Sequence, residues 1–450
     1  MRKFFGTDGV RGVANTELTC ELAMNIGRAA GTVLREFYHT KPTFLIGKDT
    51  RISSDMLENA LSAGLCSVGA NVIKLGVITT PAVATLVYKY KASAGFMISA
   101  SHNPMEYNGI KIFNKDGYKL PDEIEEKIED LLNSNQFELV DGENLGIVTY
   151  NESAVADYID FIKSTLEDSN IDFKNLKVAL DCANGSASVT AKKLFKDLSI
   201  NCTIINDNPN GVNINKKCGS THIEDISEFV KENKFDIGFA FDGDADRCLA
   251  VDENGNLLDG DKIVAIMAKN LKDKNLLAKN TIVVTVMSNI GLFKMTEKNN
   301  INVEITKVGD RYILEKINKF GYCIGGETSG HIILSDFSTT GDGQLVAVQF
   351  LKIMKESGLK ASELGNIMDV YPQILINVKV NNNDKYKILD DEFISKEIKN
   401  SEDELADNGR ILLRPSGTEP LVRVMVEGKD KHQIANIANR IAKIIKERIL

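Results

Sequence analysis

Asp242, Asp244 and Asp246 alternate with small residues in the run Asp242-Gly243-Asp244-Ala245-Asp246-Arg247. Three carboxylates on one tight turn repel one another unless a cation sits between them. An oxygen-only set of this kind suits a hard ion such as Mg²⁺. An EF-hand loop would end in register at Glu253, but Arg247 stands where that loop needs glycine, and strands rather than helices are expected on both sides. An aspartyl-phosphate phosphatase also uses an Asp-x-Asp pair after a strand, and this run alone leaves that reading open. A second reactive stretch is Ser99-Ala100-Ser101-His102-Asn103-Pro104, a polar turn that follows the apolar run Phe96-Met97-Ile98 and is closed by Asn-Pro. Neighbours on an extended chain point to opposite faces, so Ser101 and His102 are not expected to form a dyad. A nucleophilic Ser101 then needs activation by a distant group. Tyr107-Asn108-Gly109 reads as a further turn, and Lys111 falls on a second strand, Ile110 to Phe113.

Two more runs complete the set. Gly325-Gly326-Glu327-Thr328-Ser329-Gly330-His331 places a carboxylate, a hydroxyl and an imidazole among glycines. It reads equally as a glycine-rich turn or as a loop making bidentate contacts with sugar hydroxyls. Arg414-Pro415-Ser416-Gly417-Thr418-Glu419-Pro420 offers donors at Arg414, Ser416 and Thr418 and backbone N–H groups around Gly417, and Arg423 follows. Such donors cradle a phosphate dianion. The chain carries a net charge of −9, which argues against non-specific binding to nucleic acid or anionic membrane. A phosphate ligand must therefore be held by a local basic cluster of this sort.

The elements that carry these runs follow a strand–helix rhythm. The 450 residues suggest about three domains at ~150 residues each. Strands are predicted at 43–46, 71–75, 177–181, 202–206, 236–241, 281–286 and 303–306. Helices are predicted at 17–38, 53–68, 81–90, 121–133, 154–166, 187–198, 223–233, 260–271, 291–299, 311–320 and 341–357, with Ser53 or Ser54 capping the second. Alternation of this kind implies α/β modules with parallel or mixed sheets and helices on both faces. Three such modules of similar rhythm are expected at 1–150, 151–255 and 256–369. Beyond them, residues 370–450 read as a smaller α+β lid domain. It has strands at 374–380, 410–413 and 421–426, a charged helix at Asp384 to Ile398, and a last amphipathic helix with Ile434, Ile437, Ile441, Ile444 and Ile445 on one face. Phe5 to Gly12 is a glycine-rich loop without the dinucleotide spacing, and Pro42 stands where a Walker A motif preceding Gly47-Lys48 needs its first glycine. The seven cysteines are dispersed and form no Cys-x-x-Cys pair, as expected of reduced thiols. No apolar run approaches ~20 residues and no apolar segment follows Met1-Arg2-Lys3, so a cytoplasmic protein is expected.

Ser-Ala-Ser-His-Asn-Pro followed by Tyr-Asn-Gly-x-Lys resembles the active-site serine loop of the α-D-phosphohexomutase superfamily. The runs at Asp242, Gly325 and Arg414 follow in the order found there, so the resemblance covers the whole chain. It implies a phosphoserine at Ser101, and a single Mg²⁺ held by Asp242, Asp244 and Asp246 with a phosphate oxygen on Ser101 completing the shell. It implies catalytic roles for Ser101, His102, Lys111, Arg247 and His331, with Lys111 as general acid or base. Arg11, Glu327 and Ser329 would bind substrate, the last two at the sugar O3 and O4. Arg414, Ser416, Gly417, Thr418 and Arg423 would grip the phosphate that is not reacting. A hexose 1,6-bisphosphate is the implied intermediate, and a homodimer is a family-like expectation. The opening Phe-Gly-Thr-Asp-Gly-Val-Arg-Gly, the form of the serine loop and Thr79-Thr80-Pro81 look most like the amino-sugar branch, which interconverts glucosamine 6-phosphate and glucosamine 1-phosphate on the way to UDP-N-acetylglucosamine and the cell wall. Thr328 departs from the Gln that many of these enzymes carry. The alternatives are a phosphomannomutase/phosphoglucomutase activity and a Mg²⁺-dependent sugar phosphatase.

Overall fold

A computed structural model of the chain describes residues 4–6, 8–36, 41–166, 171–381, 385, 387–416 and 420–449. Two compact units emerge, one from residues 1–287 and 301–367, the other from 288–300 and 368–450.

The larger unit holds three sheets. The first is built from β1 (Phe5–Gly6), β2 (Gly9–Val13), β3 (Thr43–Lys48), β4 (Asn71–Val77), β5 (Ala94–Ile98), β6 (Tyr107–Asn114) and β7 (Val148–Tyr150), in the spatial order β1-β2-β6-β5-β3-β4-β7. The second contains β8 (Lys177–Asp181), β9 (Asn201–Ile205), β10 (Ile237–Phe241), β11 (Cys248–Asp252) and β12 (Leu257–Leu258), ordered β12-β11-β10-β8-β9. The third has β13 (Thr281–Thr285), β14 (Asn302–Thr306), β15 (Ile324–Gly326) and β16 (Ile332–Leu334), ordered β14-β13-β15-β16. Each mixes parallel and antiparallel pairs, as the strand–helix alternation predicts. Parallel pairing needs crossovers, and the intervening helices supply them.

Helix α1 (Cys20–Arg35) packs on α2 (Ile52–Ser67) with almost no space between backbones. A Cβ on Gly64 would lie 2.0 Å from the Met24 carbonyl oxygen, and one on Gly27 2.6 Å from that of Leu61. The remaining helices of this unit are α3 (Thr80–Lys89), α4 (Asp122–Ser134), α5 (Ala154–Ser164), α6 (Ala187–Asp197), α7 (Glu224–Asn233) and α8 (Gly260–Asp273), then, beyond α9 (Ile290–Lys298) of the smaller unit, α10 (Asp310–Phe320), α11 (Gly343–Ser357) and the short α12 (Ala361–Gly365). None of the helices among the described residues is long and apolar enough to cross a membrane. No cysteine is in a disulfide.

Four local expectations are corrected. The opening glycine-rich stretch is a β1–β2 hairpin in which Phe5 pairs with Val10 and Gly6 with Gly9. Tyr107-Asn108-Gly109 is the start of β6, not a turn. Gly109 is there because a Cβ would come within 2.6 Å of the Ser99 carbonyl oxygen, a close approach that only glycine permits. Neither Ser53 nor Ser54 caps α2: its cap residue is Arg51, and the Ser54 hydroxyl donates to Asp49 Oδ1 at 2.9 Å. The charged helix of the C-terminal segment runs later than expected, as α13 (Glu392–Leu405) after a short turn at Lys387–Asp390, and Asp384 lies outside the described residues.

The smaller unit is one antiparallel sheet of β17 (Gln373–Lys379), β18 (Gly409–Pro415) and β19 (Leu421–Gly428), ordered β17-β19-β18. On it lies α14 (Lys431–Ile449), with Ile434, Ile437, Ile441 and Ile445 buried and Ile444 partly so. Helix α9 (Ile290–Lys298) belongs to this unit although its sequence neighbours belong to the other. The buried Glu427 of β19 anchors it, accepting from Ile290 N at 2.9 Å and from Arg410 Nε at 2.8 Å.

Asp342 caps the buried helix α11, accepting from Leu345 N at 3.0 Å. The buried Tyr158 hydroxyl lies 2.8 and 2.9 Å from its two carboxylate oxygens. Burial pushes the Asp342 carboxyl from its ordinary 3.8 up to about 6, against the opposing pull of those hydrogen bonds. The folded chain thus holds this proton more tightly than the unfolded chain does. Asp342 therefore favours folding as pH falls through about 6 towards 4, and disfavours it above, by up to about 3 kcal/mol. Asp342→Asn keeps an acceptor for the cap and for Tyr158 and carries no charge to bury. It should raise the urea midpoint at pH 8 and flatten the midpoint's rise between pH 8 and pH 5. An unchanged pH profile in the variant would show that Asp342 does not carry this linkage.

Candidate active site

Ser101 lies just past the C-terminal end of β5 and has φ +53°, in the left-handed region. The extended chain assumed from the sequence is therefore absent, and the expectation that Ser101 and His102 point apart is overturned. The left-handed residue turns the two side chains together, with Ser101 Oγ 3.2 Å from His102 Nδ1. Ser101 Oγ also donates to Asp242 Oδ2 at 2.6 Å, which ties the serine loop to the acidic turn. Burial, together with the Arg247 and Arg11 guanidinium groups, pushes His102 down to about 4, so its imidazole is neutral near pH 7.

The serine loop is held from below by residues that the sequence reading passed over. Asp49, in the turn after β3, accepts from Ser99 Oγ at 2.7 Å, and Ser99 Oγ in turn accepts from Ser101 N at 2.9 Å. Asp49 also pairs with Arg51 at 2.8 Å, both side chains fully buried. Arg51 donates to the carbonyl oxygens of Ser101 at 3.0 Å, Asn103 at 2.8 Å and Pro104. The Gly47-Lys48-Asp49-Thr50-Arg51 run is no phosphate loop but the support of the serine loop. An Asp and an Arg two apart at a strand end were the available signal.

Asp242, Asp244 and Asp246 fall on the turn between β10 and β11 and are all buried. Each offers a carboxylate oxygen within 4.8 Å of the others. Burial and the neighbouring Asp246 and Asp244 charges push Asp242 well above the ordinary carboxylate range. Asp244 Oδ1 and Asp246 Oδ1 are buried without a hydrogen-bond partner. Two buried oxygens without a hydrogen bond in a like-charged cluster fit a hard divalent cation. The partnered oxygens are taken by Lys111 Nζ, at 2.8 Å from Asp244 and 3.0 Å from Asp246, and by Thr80 Oγ1 at 2.5 Å from Asp244.

Lys111 is one member of a closed ring of alternating charge. Its Nζ is 3.1 Å from Asp8, Asp8 is 2.6 Å from Lys119, and Lys119 is 2.5 Å from Asp310. Asp310 is 3.3 Å from His331 Nε2, and His331 Nδ1 is 3.7 Å from Asp246, which returns to Lys111. Burial works to discharge each group, but the carboxylates Asp244, Asp246 and Asp8 hold Lys111 well above its usual range. Burial likewise opposes charge on His331, yet Asp310 and Asp246 raise it. Arg11 joins the ring at Asp8, 3.0 Å away. Asp8, Lys119 and Asp310 were not among the expected site residues, because nothing local marks three charges so distant in sequence as partners.

The Gly325–His331 run closes the larger unit's site. Glu327 N donates to His331 O at 3.0 Å, and Glu327 Oε1 accepts from Gly309 N at 2.9 Å. The Ser329 hydroxyl is buried without a partner. Thr328 Oγ1 donates to Asp261 Oδ2 at 2.8 Å. Arg247 N donates to Asp242 Oδ1 at 3.2 Å, and Arg247 bridges to His331 across the strand ends. The larger unit thus brings together Ser101, His102, Lys111, Arg247, His331, Glu327, Ser329 and the three aspartates, with Arg11 at their edge.

In the smaller unit, Arg414 and Arg423 are direct cross-strand partners on β18 and β19. Like charges placed opposite each other repel. Burial and the Arg423 charge both lower the Arg414 guanidinium's hold on its proton. Ser416 is buried, and its carbonyl accepts from Lys385 Nζ at 3.0 Å. Gly417 and Thr418 lie outside the described residues.

Four consecutive matches cover the chain: "Phosphoglucomutase/phosphomannomutase, alpha/beta/alpha domain I" over residues 2–139, domain II over 156–255, domain III over 259–371 and the C-terminal domain over 375–444. Among curated relatives, the phosphoglucosamine mutase of Ruminiclostridium cellulolyticum is 56% identical over 452 residues, covering 100% of both chains. That of Clostridium novyi is 55% identical over 451 residues, covering 100% of this chain and 99% of its own. Among solved structures, a phosphoglucomutase/phosphomannomutase family protein of Burkholderia thailandensis superposes with a TM-score of 0.81 at 23% identity, over 98% of this chain and 97% of that one. The N-acetylphosphoglucosamine mutase of Aspergillus fumigatus, in complex with GlcNAc-6P and magnesium, gives 0.69 at 17% identity over 100% and 96%. From four domain matches and two full-length relatives above half identity, the chain belongs to the phosphoglucomutase/phosphomannomutase family.

Proposed function

We propose that this chain interconverts glucosamine 6-phosphate and glucosamine 1-phosphate, through a phosphoserine at Ser101 and a 1,6-bisphosphate intermediate, in the cytoplasm. The observation that carries the reading is Ser101 Oγ 2.6 Å from a carboxylate of the buried triad. The substrate is taken from the full-length curated relatives, which are named phosphoglucosamine mutases.

In the forward step the phosphorus–oxygen bond to Ser101 breaks as a sugar hydroxyl oxygen attacks phosphorus. The bisphosphate turns in the site, and the other phosphoryl group returns to Ser101. Asp242, Asp244 and Asp246 would hold Mg²⁺, with Asp244 Oδ1 and Asp246 Oδ1 as the free donors. When bound, Mg²⁺ neutralises negative charge on the moving phosphoryl group. Neutral His102, beside Ser101, is suited to accept a proton near pH 7. Lys111 is held protonated by three carboxylates, which suits a fixed positive charge beside the phosphoryl group better than the base role. Arg247 steadies the phosphoryl group, His331 stands beside the reacting oxygen, and Glu327 and Ser329 take sugar hydroxyls. Arg11 binds substrate at the edge of the ring. Arg414 and Arg423, with Ser416, Gly417 and Thr418, bind the phosphate that is not being transferred. An anion between two facing guanidinium groups relieves their repulsion and makes charge-assisted bonds to both. The domain boundaries proposed are 1–150, 151–255, 256–369 and 370–450.

The deciding experiment is a mutase assay with glucosamine, glucose and mannose phosphates side by side. The kcat/KM for glucosamine phosphate should be at least ~10-fold higher than for the other two, a gap of about 1.4 kcal/mol in transition-state binding. Ser101→Ala should fall by at least ~10²-fold as its covalent step is lost. Better turnover of mannose phosphate would promote the phosphomannomutase reading, and release of inorganic phosphate without isomerisation would promote the phosphatase.

Metal removal is a separate test. Excess chelator should abolish isomerisation and Mg²⁺ should restore it, because an all-carboxylate set favours a hard ion over Zn²⁺. Asp246→Asn should raise the Mg²⁺ concentration needed for half-maximal rate while leaving the circular dichroism spectrum unchanged. Full activity in chelator would remove the metal from the mechanism.

A further inference from the structure

The loop between β9 and α7 reaches under the serine loop through one side chain. Asn215 is 7% exposed, its φ is +56°, and its N–H donates to Ala183 O at 2.9 Å. Its amide nitrogen donates to two backbone carbonyls of the serine loop, Ser101 O at 2.8 Å and Asn103 O at 3.1 Å. These are two of the carbonyls that Arg51 holds from the first sheet. The same amide nitrogen would lie 2.9 Å from a Cβ placed on Gly243, and Ser101 O would lie 2.6 Å from it. Asn215, Ser101 and the backbone of the acidic turn are therefore packed against one another without space between.

We infer that Asn215 is a positioning residue that fixes the phosphorylated serine loop against the acidic turn and so directs the phosphoryl group to sugar rather than to water. The inference rests on the mutase reading. Ser101 sits in a left-handed conformation that a side-chain-bearing residue adopts only when its surroundings over-determine it. Its carbonyl is fixed by two donors from different parts of the chain, Arg51 after β3 and Asn215 after β9. Arg51 alone would anchor the loop to its own sheet. Asn215 adds the anchor to the second module, which also carries Asp242, the partner of Ser101 Oγ. In-line transfer between two oxygens tolerates little displacement, and a misplacement of about 1 Å costs up to ~10²-fold in rate. Hydrolysis is less demanding, because water approaches from wherever it has access. In that leak, water oxygen attacks phosphorus, the bond to Ser101 Oγ breaks, and Ser101 hydroxyl and inorganic phosphate result. A loosened loop should therefore lose transfer more than it loses hydrolysis.

Two variants suit the left-handed backbone at this position. Asn215→Gly deletes the amide and keeps φ free, and Asn215→Asp keeps the shape but faces two carbonyls with an acceptor. With glucosamine phosphate and a hexose 1,6-bisphosphate primer, kcat should fall between ~10- and ~100-fold in both, with KM within about twofold of the unaltered chain. The ratio of inorganic phosphate released to sugar isomerised should rise at least ~10-fold on the same grounds. Loss of the phosphoserine mass after priming, followed by intact-protein mass spectrometry without sugar, should be faster than in the unaltered chain. Activity that falls only with the folded fraction, at an unchanged release ratio, would overturn the inference, as would unchanged kcat. If the unaltered chain isomerises no hexose phosphate, the mutase reading fails instead. The phosphoserine decay then decides for Asn215 alone: unchanged decay in both variants would overturn it, and faster decay would support it.

Discussion

Three buried carboxylates on one turn are the constraint to which the larger unit answers. Asp242, Asp244 and Asp246 are within 5% of full burial, and a buried charge left uncompensated is among the costliest features a fold can carry. The compensation comes from distant parts of the chain. Lys111 arrives on β6, Thr80 at the start of α3, Ser101 from the end of β5 and His331 from the loop before β16. Lys111 alone is insufficient, since Asp244 Oδ1 and Asp246 Oδ1 stay without a hydrogen bond, Asp246 Oδ1 having the His331 ring at 3.7 Å. The remaining negative charge is what draws a cation, and a cation in turn lets a dianionic phosphoryl group approach an acidic turn.

The ring through Asp8, Lys119, Asp310 and His331 extends the same logic outward. Alternating signs oppose the discharging effect of burial at Asp8, Lys119 and Asp310, and removal of one would leave its neighbours uncompensated. The ring also fastens the Gly325–His331 run to the first sheet through His331, Asp310 and Lys119. The Gly325–His331 run is therefore held to the first sheet by ion pairs in addition to the apolar packing of Tyr118 against Val283, Ile313 and Ile333. Ion pairs specify geometry more sharply than they stabilise, which suits a site where position matters more than strength.

The periodicity of the α/β modules was legible because strand and helix patterns are local, and the central parallel strands of all three sheets lie where the alternation puts them, whereas the short strands β1, β2, β7, β12, β15 and β16 carry too little pattern to be read. The reactive runs were legible because Asp-x-Asp-x-Asp and Ser-His-Asn-Pro are short. What was not legible depends on long-range contact. Tyr107-Asn108-Gly109 has turn composition, yet it is the start of a strand because Gly109 must pass the Ser99 carbonyl. Ser54 has cap composition, yet its hydroxyl is taken by Asp49 across the turn. The pairing of Ser101 with His102 depends on one backbone dihedral that residue types do not announce. Asp8, Arg51, Lys119 and Asp310 are ordinary charged residues in sequence and become site residues through partners distant in the chain, Asp8 with Lys111, Lys119 with Asp310 and Arg51 with the Ser101 carbonyl, which tertiary rather than local structure supplies.

Helix α9 shows how far connectivity and domain identity can separate. Its neighbours β13 and β14 are parallel partners in the third sheet, and α9 is the crossover that such a pair requires. Yet Ile290 N is capped by Glu427, Arg410 stacks on Phe293 at 5.1 Å, and Lys294 donates to Asp407 O, all within the smaller unit. The chain therefore passes between the two units three times, at Met287–Ser288, Asn300–Ile301 and Ile367–Met368. The arginine pair on β18 and β19 is thus carried in a unit that takes one helix, α9, from between two strands of another sheet.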